Sequence, residues 1–226
     1  VAAEHDVPFV CVPAGTRNHF ALDLRIDRND VVGALDAFVE GDERRIDLGR
    51  VSGRLFVNNV AMGFYGAVVQ SAQYRDHKVR TVVQMLPDLL GPDAEAFDLR
   101  LTGRGGRTFE TAVLVLVSNN PYLFDPRPGK GTRANIDSGQ LGVIAVTGPP
   151  PRGLAEWTTA SFRIDSGAPV AVGIDGESVL MEPRLLFESS PKALRVRVLA
   201  RRPVRTPVPR RRGRRKGPSA LPPDRQ

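Results

Sequence analysis

A single cysteine in 226 residues leaves no partner for an intramolecular disulfide and no thiolate set for a zinc site. A reducing, cytoplasmic setting is therefore expected. Long apolar runs are also missing. No stretch reaches the 18 or more residues of a membrane-spanning helix, and the opening residues lack the pattern of a signal peptide. Any membrane contact would then be peripheral, on the inner face. Aromatic residues make up only 6%, and no aromatic-studded basic face accompanies the positive charge, which argues against nucleic acid as a partner. What is present is ordinary globular usage, 41% apolar and 25% charged, in a chain long enough for one or two cores and for an enzyme.

The excess of positive charge is local. Residues 201–226 carry ten Arg and Lys against one Asp, a net +9, so of the chain's +7 the first 200 residues hold −2. With six prolines and almost no large apolar side chains, this tail cannot recover its ordering entropy by burial and is expected to be disordered. It is either a solvated, self-repelling end or an attachment to anionic lipid headgroups.

Periodicity divides the rest. VAAEHDV reads as the end of a helix and PFVCVP as a buried strand, in which Cys11 is a small buried thiol and not a nucleophile. Val31, Val32, Leu35, Phe38 and Val39 have helical spacing, with Asp30 as N-cap and Gly41 as the stop. From Arg44 the period approaches two. RRIDLGRV, a Ser-Gly turn and RLFVNNVAMGF read as a hairpin, and a helical pattern follows over 68–91. The remaining runs AFDLRLTG, TFETAVLVLVSNN, LGVIAVTG, TASFRIDSG, PVAVGIDGE, LLFESS and ALRVRVLA are short and bounded by Gly, Pro, Asp and Ser. They predict a β-sandwich or folded-over sheet.

Three polar constellations fall at strand ends. In PAGTRNHF, Gly15 permits close backbone approach, and Thr16 and Asn18 offer short hydrogen-bonding groups at a helix start, which suits a phosphate or ribose or simple helix capping. In NNVAMGFYG, Asn58 and Asn59 end a strand, with a bulge of self-satisfied amides as the plain reading. In VAVGIDGESV, a strand delivers Asp175 and Glu177 on either side of a glycine. Such a pair can take a hydroxyl proton or position a metal-bound phosphate, or it can be an Asp-Gly hairpin turn.

Together, Pro13-Ala14-Gly15-Thr16-Arg17-Asn18, Asn59 followed by Gly63 or Gly66, and Ile174-Asp175-Gly176-Glu177 resemble, in order and spacing, the lipid kinase family of bacterial diacylglycerol kinases and sphingosine kinases, from about residue 7 to residue 199. The resemblance implies an α+β chain: a remnant of an α/β nucleotide-binding domain over 1–43, a mostly antiparallel β-sandwich lipid domain over 44–200, and the tail over 201–226. It implies transfer of the ATP γ-phosphoryl group to a lipid with a free hydroxyl, with ATP and Mg2+ as cofactors. Gly15, Thr16 and Asn18 would line the nucleotide side of a cleft. Asp175 and Glu177 would sit opposite, one of them accepting the hydroxyl proton. Asp137, in Asp137-Ser138-Gly139 where the family has Asp-Asp-Gly, would be the metal ligand. The expected partners are the lipid and an anionic membrane surface, with a homodimer left open.

The chain departs from the family in three respects. The family's Gly-Gly-Asp-Gly-Thr phosphate loop does not occur in it, so it is expected to enter its first domain partway and to be inactive by itself. His19 stands where Asp is usual and is read as a polar core or surface residue. Ser138 replaces a carboxylate in a position where magnesium prefers carboxylate oxygens. The competing readings are a non-catalytic lipid- or partner-binding module with the tail as electrostatic anchor, and a relative of small-molecule or NAD kinases.

Overall fold

The computed structural model describes residues 1–15, 18–63, 96–123, 132–147 and 153–199. Thr16, Arg17, Gly66, the helix expected over 68–91 and the basic tail lie outside the described residues. The chain opens with a turn closed by His5 N–H on Val1 C=O (3.0 Å). There follow β1 (Phe9–Val10), α1 (His19–Asp23), a 3-10 turn (Gly33–Asp36) running into α2 (Ala37–Glu40), β2 (Asp42–Val51), β3 (Arg54–Phe56) and β4 (Asn59–Gly63). From residue 96 onward the elements are β5 (Arg100–Thr102), β6 (Thr108–Phe109), β7 (Ala112–Asn119), β8 (Tyr122–Leu123), β9 (Thr132–Arg133), β10 (Leu141–Thr147), β11 (Gly153–Thr159), β12 (Ser161–Asp165), β13 (Val170–Ile174), β14 (Glu177–Met181) and β15 (Leu185–Val198).

Two sheets dominate. One has the order β3-β2-β15-β12-β5-β6, with β1 added in parallel to β15, and the other the order β11-β10-β7-β4-β13-β14; β8 and β9 form a separate pair. Apart from β1 every pairing is antiparallel. The fold is α+β with a β-sandwich, as the run of short strands predicts. The strands alternate so that Val51, Phe56, Leu101, Ile164, Leu185 and Phe187 of the first sheet meet Val60, Met62, Val115, Val117, Val143 and Val172 of the second in one core. Phe187 stacks on Phe162 (5.0 Å), which meets Trp157 edge-on (6.1 Å). A second cluster on the first sheet joins Leu24 to Ile46, Leu48, Leu194 and Val196, with Cys11 and Phe20 half-buried against it, so the segment before residue 42 is packed on the sheet.

Where the structure differs from the periodicity, a side chain or a turn explains it. RLFVNNVAMGF is two strands in two sheets: β3 pairs with β2 around a turn with positive φ at Ser52 and Gly53, and the chain then crosses at Val57–Asn58 into β4. LLFESS and ALRVRVLA are one strand, β15, with a register shift between Ser190 and Leu194. Pro191, which has no N–H to give the ladder, lies inside that bulge. The helix over 31–39 is a 3-10 turn and one short α-turn. Its ends are held as predicted, by Gly33 N–H on Asp30 Oδ1 (2.8 Å) and Gly41 N–H on Ala37 C=O (3.2 Å). Its apolar stripe faces outward, however, with Phe38 58% and Val39 83% exposed.

The β2–β3 hairpin leaves no room at Gly49, where an added Cβ would stand 2.1 Å from Cζ of the buried Phe56 ring. Gly49→Ala should cost about 1–3 kcal/mol by overpacking. This would appear as a lower urea midpoint at unchanged slope; an unchanged midpoint would contradict this packing.

Candidate active site

Asp175 and Gly176 form the two-residue turn between β13 and β14, with φ of 49° and 94°. Aspartate is among the few side chains that tolerate a positive φ, and the Asp-Gly pair suits the twist of a hairpin. Because β13 pairs with β4 (Ile174 opposite Val60), the turn lies beside the crossover from β3 to β4. The Asp175 carboxylate meets that crossover squarely. Oδ2 accepts Val57 N–H (2.8 Å), and Oδ1 accepts Asn58 N–H (2.7 Å) and Asn59 N–H (3.1 Å). Asp175 N–H in turn donates to Asn59 C=O (2.9 Å). Glu177 is the first residue of β14, the edge strand of its sheet. It is exposed, and its carboxylate has no hydrogen bond or ion pair among the described residues. Of the two carboxylates expected to act, one is committed to backbone and the other is open.

The carbonyl side of the same crossover is held by Arg133. Its Nη1 donates to Val57 C=O (2.6 Å) and Asn119 C=O (2.7 Å), and its Nε and Nη2 grip Asp23 Oδ2 (2.9 and 2.6 Å). Asn119 Nδ2 adds a second bond to Val57 C=O (3.1 Å) and one to Asp47 C=O (2.9 Å). The buried Asp47 carboxylate accepts Gly139 N–H (2.6 Å) and, at the β15 bulge, Lys192 N–H (2.8 Å). Asn59 Nδ2 donates to Tyr122 Oη (3.2 Å), and the Arg133 guanidinium lies 6.0 Å from that ring's centre.

In the first motif the Asn18 side chain turns back on its own loop. Oδ1 accepts Gly15 N–H (2.9 Å) and Nδ2 donates to Pro13 C=O (2.9 Å). Asn18 stands at the N-cap of α1 with φ 50°, yet its side chain does not cap the helix. Asn18 and Gly15 thus shape the loop, and the amide is spent in doing so. Phe20, two residues further on, lines a cavity of about 370 Å³ together with Phe9, Leu48, Leu55, Asn58 and Asp175. The structure therefore brings Asp175 and the start of α1 to one cavity; Gly15, Asn18 and Glu177 are not on its wall.

The third expected feature is a built turn. Ser138 donates both N–H (2.8 Å) and hydroxyl to Asn120 Oδ1. Asp137 is exposed and near Arg44, whose guanidinium is lowered by burial and by Arg25 while Asp137 acts in the opposite direction. Among the described residues no three His, Cys, Asp or Glu converge. The carboxylates of Asp47 and Asp175 already accept backbone N–H groups, so the described residues do not form a magnesium cage.

Sequence reasoning missed Asp23, Asp47, Asn119, Asn120, Tyr122 and Arg133. Only the Ser-Asn-Asn end of an apolar strand hinted at polar work there. The Asp23–Arg133 pair is separated by 110 residues and has no local signature.

Comparison with known proteins bears on this arrangement. Residues 1–51 match the family model for the diacylglycerol kinase catalytic domain. These residues are similar to the catalytic domain of diacylglycerol kinases, in line with the resemblance carried by the sequence motifs. Diacylglycerol kinases of Staphylococcus aureus strains JH9 and Newman are 33% identical to it over 100 residues, 40% of this chain and 29% of theirs. The stretch it matches is thus under a third of those relatives' length. The crystal structure of a diacylglycerol kinase from Bacillus anthracis str. Sterne superposes with a TM-score of 0.56 at 18% identity, over 83% of this chain and 65% of that one, which is a likeness of fold.

The polar groups around Arg133 include a titrating reporter. Burial, the largest influence, pushes the Tyr122 phenol above its ordinary value, against a smaller opposing pull from Arg133. A raised folded value means a contribution to stability that is present below about pH 10 and lost as pH rises through the folded value. Ultraviolet titration should show a late-ionising phenol that vanishes in Tyr122→Phe; a late part of the titration unchanged in Tyr122→Phe would contradict the half-buried placement.

Proposed function

We propose that this chain contributes the acceptor side of an ATP-dependent lipid kinase, with Glu177 as the base that receives the proton of a lipid hydroxyl. The observation that supports this is the unequal state of the two carboxylates: Asp175 is occupied by three backbone N–H groups, and Glu177, two residues away on a strand edge, is open. A base must reach the proton it takes, and a carboxylate saturated by fixed donors is poorly placed to do so. As the hydroxyl oxygen bonds to the γ-phosphorus and the bond to the β-γ bridging oxygen breaks, Glu177 takes the hydroxyl proton and ADP leaves. Asp175 keeps the hairpin, and so Glu177, in place.

Bound ATP would supply the phosphoryl group. The Pro13–Asn18 loop, with Gly15, Thr16 and Asn18, is the proposed nucleotide-side element. Its described residues offer a shaped turn instead of free donors, so they would position the nucleotide by fit. Asp137 would offer magnesium a single carboxylate, with phosphate and water as the other ligands. Most of the rate would come from positioning and charge stabilisation.

Residues 1–226 by themselves should not phosphorylate diacylglycerol, since no Gly-Gly-Asp-Gly-Thr segment occurs among them. A chain extended at its N-terminus by a segment carrying that loop should turn over. Glu177→Gln should then lower kcat on the order of 10²- to 10⁴-fold with KM nearly unchanged. Undiminished turnover in Glu177→Gln would assign the proton elsewhere.

No helix among the described residues is long and apolar enough to cross a membrane. We propose peripheral attachment to the inner, anionic surface through residues 201–226. Co-sedimentation with anionic vesicles should weaken steeply as the Debye length falls from about 10 Å at 0.1 M salt to about 3 Å at 1 M. Equal binding by a chain ending at Ala200 would leave the tail as a solvated end.

A further inference from the structure

The Asp23–Arg133 pair is the most deeply buried ion pair among the described residues, with side chains 2% and 0% exposed. All five guanidinium N–H groups are used. Nε and one Nη2 hydrogen go to Asp23 Oδ2, the second Nη2 hydrogen points to Asn58 Oδ1 (3.4 Å), and the two on Nη1 go to the carbonyls of Val57 and Asn119. Arg133 N–H adds a bond to Asp23 Oδ1 (3.1 Å). Desolvating two charges is costly, and a well-packed apolar pair would hold a fold as well or better. What such a pair adds is direction, because a planar fork fixes several acceptors in one geometry.

Those acceptors lie on three segments, and two of them carry the proposed site. Asp23 closes α1, the helix that leaves the Pro13–Asn18 loop. Val57 and Asn58 form the crossover whose N–H groups hold Asp175. Arg133 and Asp175 therefore grip the same short run of backbone from its carbonyl side and its amide side, without touching each other.

We propose that Arg133, oriented by Asp23, is a positioning residue that couples the placement of the Pro13–Asn18 loop to that of the Asp175–Glu177 hairpin through residues 57–59. The inference rests on the reading of these two elements as the two sides of a kinase cleft, and adds the link between them.

The test has two arms. In the full chain, Asp23→Asn, Asp175→Asn and the double variant are unfolded in urea. Sites without contact change the unfolding constant independently, to within about twofold. The proposal expects the double variant to differ from the product of the singles by more than about fivefold, and additivity overturns it whatever the activity. Arg133→Lys, which keeps the charge and loses the fork, replaces Asp23→Asn in the same cycle if that variant does not fold.

The second arm uses the N-terminally extended chain. Arg133→Lys should lower kcat at least about tenfold with KM for ATP little changed, and should have no further effect in a Glu177→Gln background, because it acts through that carboxylate. An equal loss in both backgrounds overturns the positioning role. Coupling in urea without any turnover supports the link and places the failure in the kinase reading.

Discussion

One carboxylate and three backbone N–H groups fix the geometry on which the rest of the structure depends. At Val57–Asn59 the chain leaves the first sheet and enters the middle of the second, and three successive amides have no ladder partner at that point. Asp175 supplies one from the opposite end of the sequence. Backbone donors left unpaired at such a crossing would oppose it. With them satisfied, β4 can lie between β7 and β13, where Val60 and Met62 enter the shared core.

Around that point lies a group of buried polar side chains, Asp47, Asn119, Asn120 and Arg133. Arg133, Asn119, Asp47 and Asn120 each bind backbone groups of segments that come together from distant parts of the chain. Groups of this kind are costly when half-satisfied and direct geometry when complete. This group is accordingly where the fold is most specific, and the elements proposed to meet ATP and lipid are attached to it. The phosphoryl-transfer reading asks for little else: a fixed hairpin, an open carboxylate and a shaped loop.

Much of this was legible in the sequence. The alternating runs predict the sandwich, Asp30 and Gly41 hold their ends of the short helical segment, and Asp-Gly between two apolar runs predicts the hairpin that is present. The motif also offered two readings of the same residues, turn and chemistry; the structure shows the turn, made by Asp175 and Gly176, and the chemistry proposed for Glu177 rests on its carboxylate being open. What could not be read depends on tertiary partners. The break at Val57–Asn58 exists because Asp175 and Arg133 hold it, the outward-facing stripe of Val32, Phe38 and Val39 obeys a helical period that carries no packing information, and the Pro191 bulge is stabilised by Asp47 from another strand.

All of this depends on the Asp175 carboxylate serving the backbone. Amide hydrogen exchange at Val57, Asn58 and Asn59 tests it most directly. These three amides should be protected far beyond those of an exposed turn, and Asp175→Asn should release them selectively while the β7 and β10 ladders keep their protection. Rapid exchange at all three in the unaltered protein would contradict that role and return Asp175 to the candidates for the base.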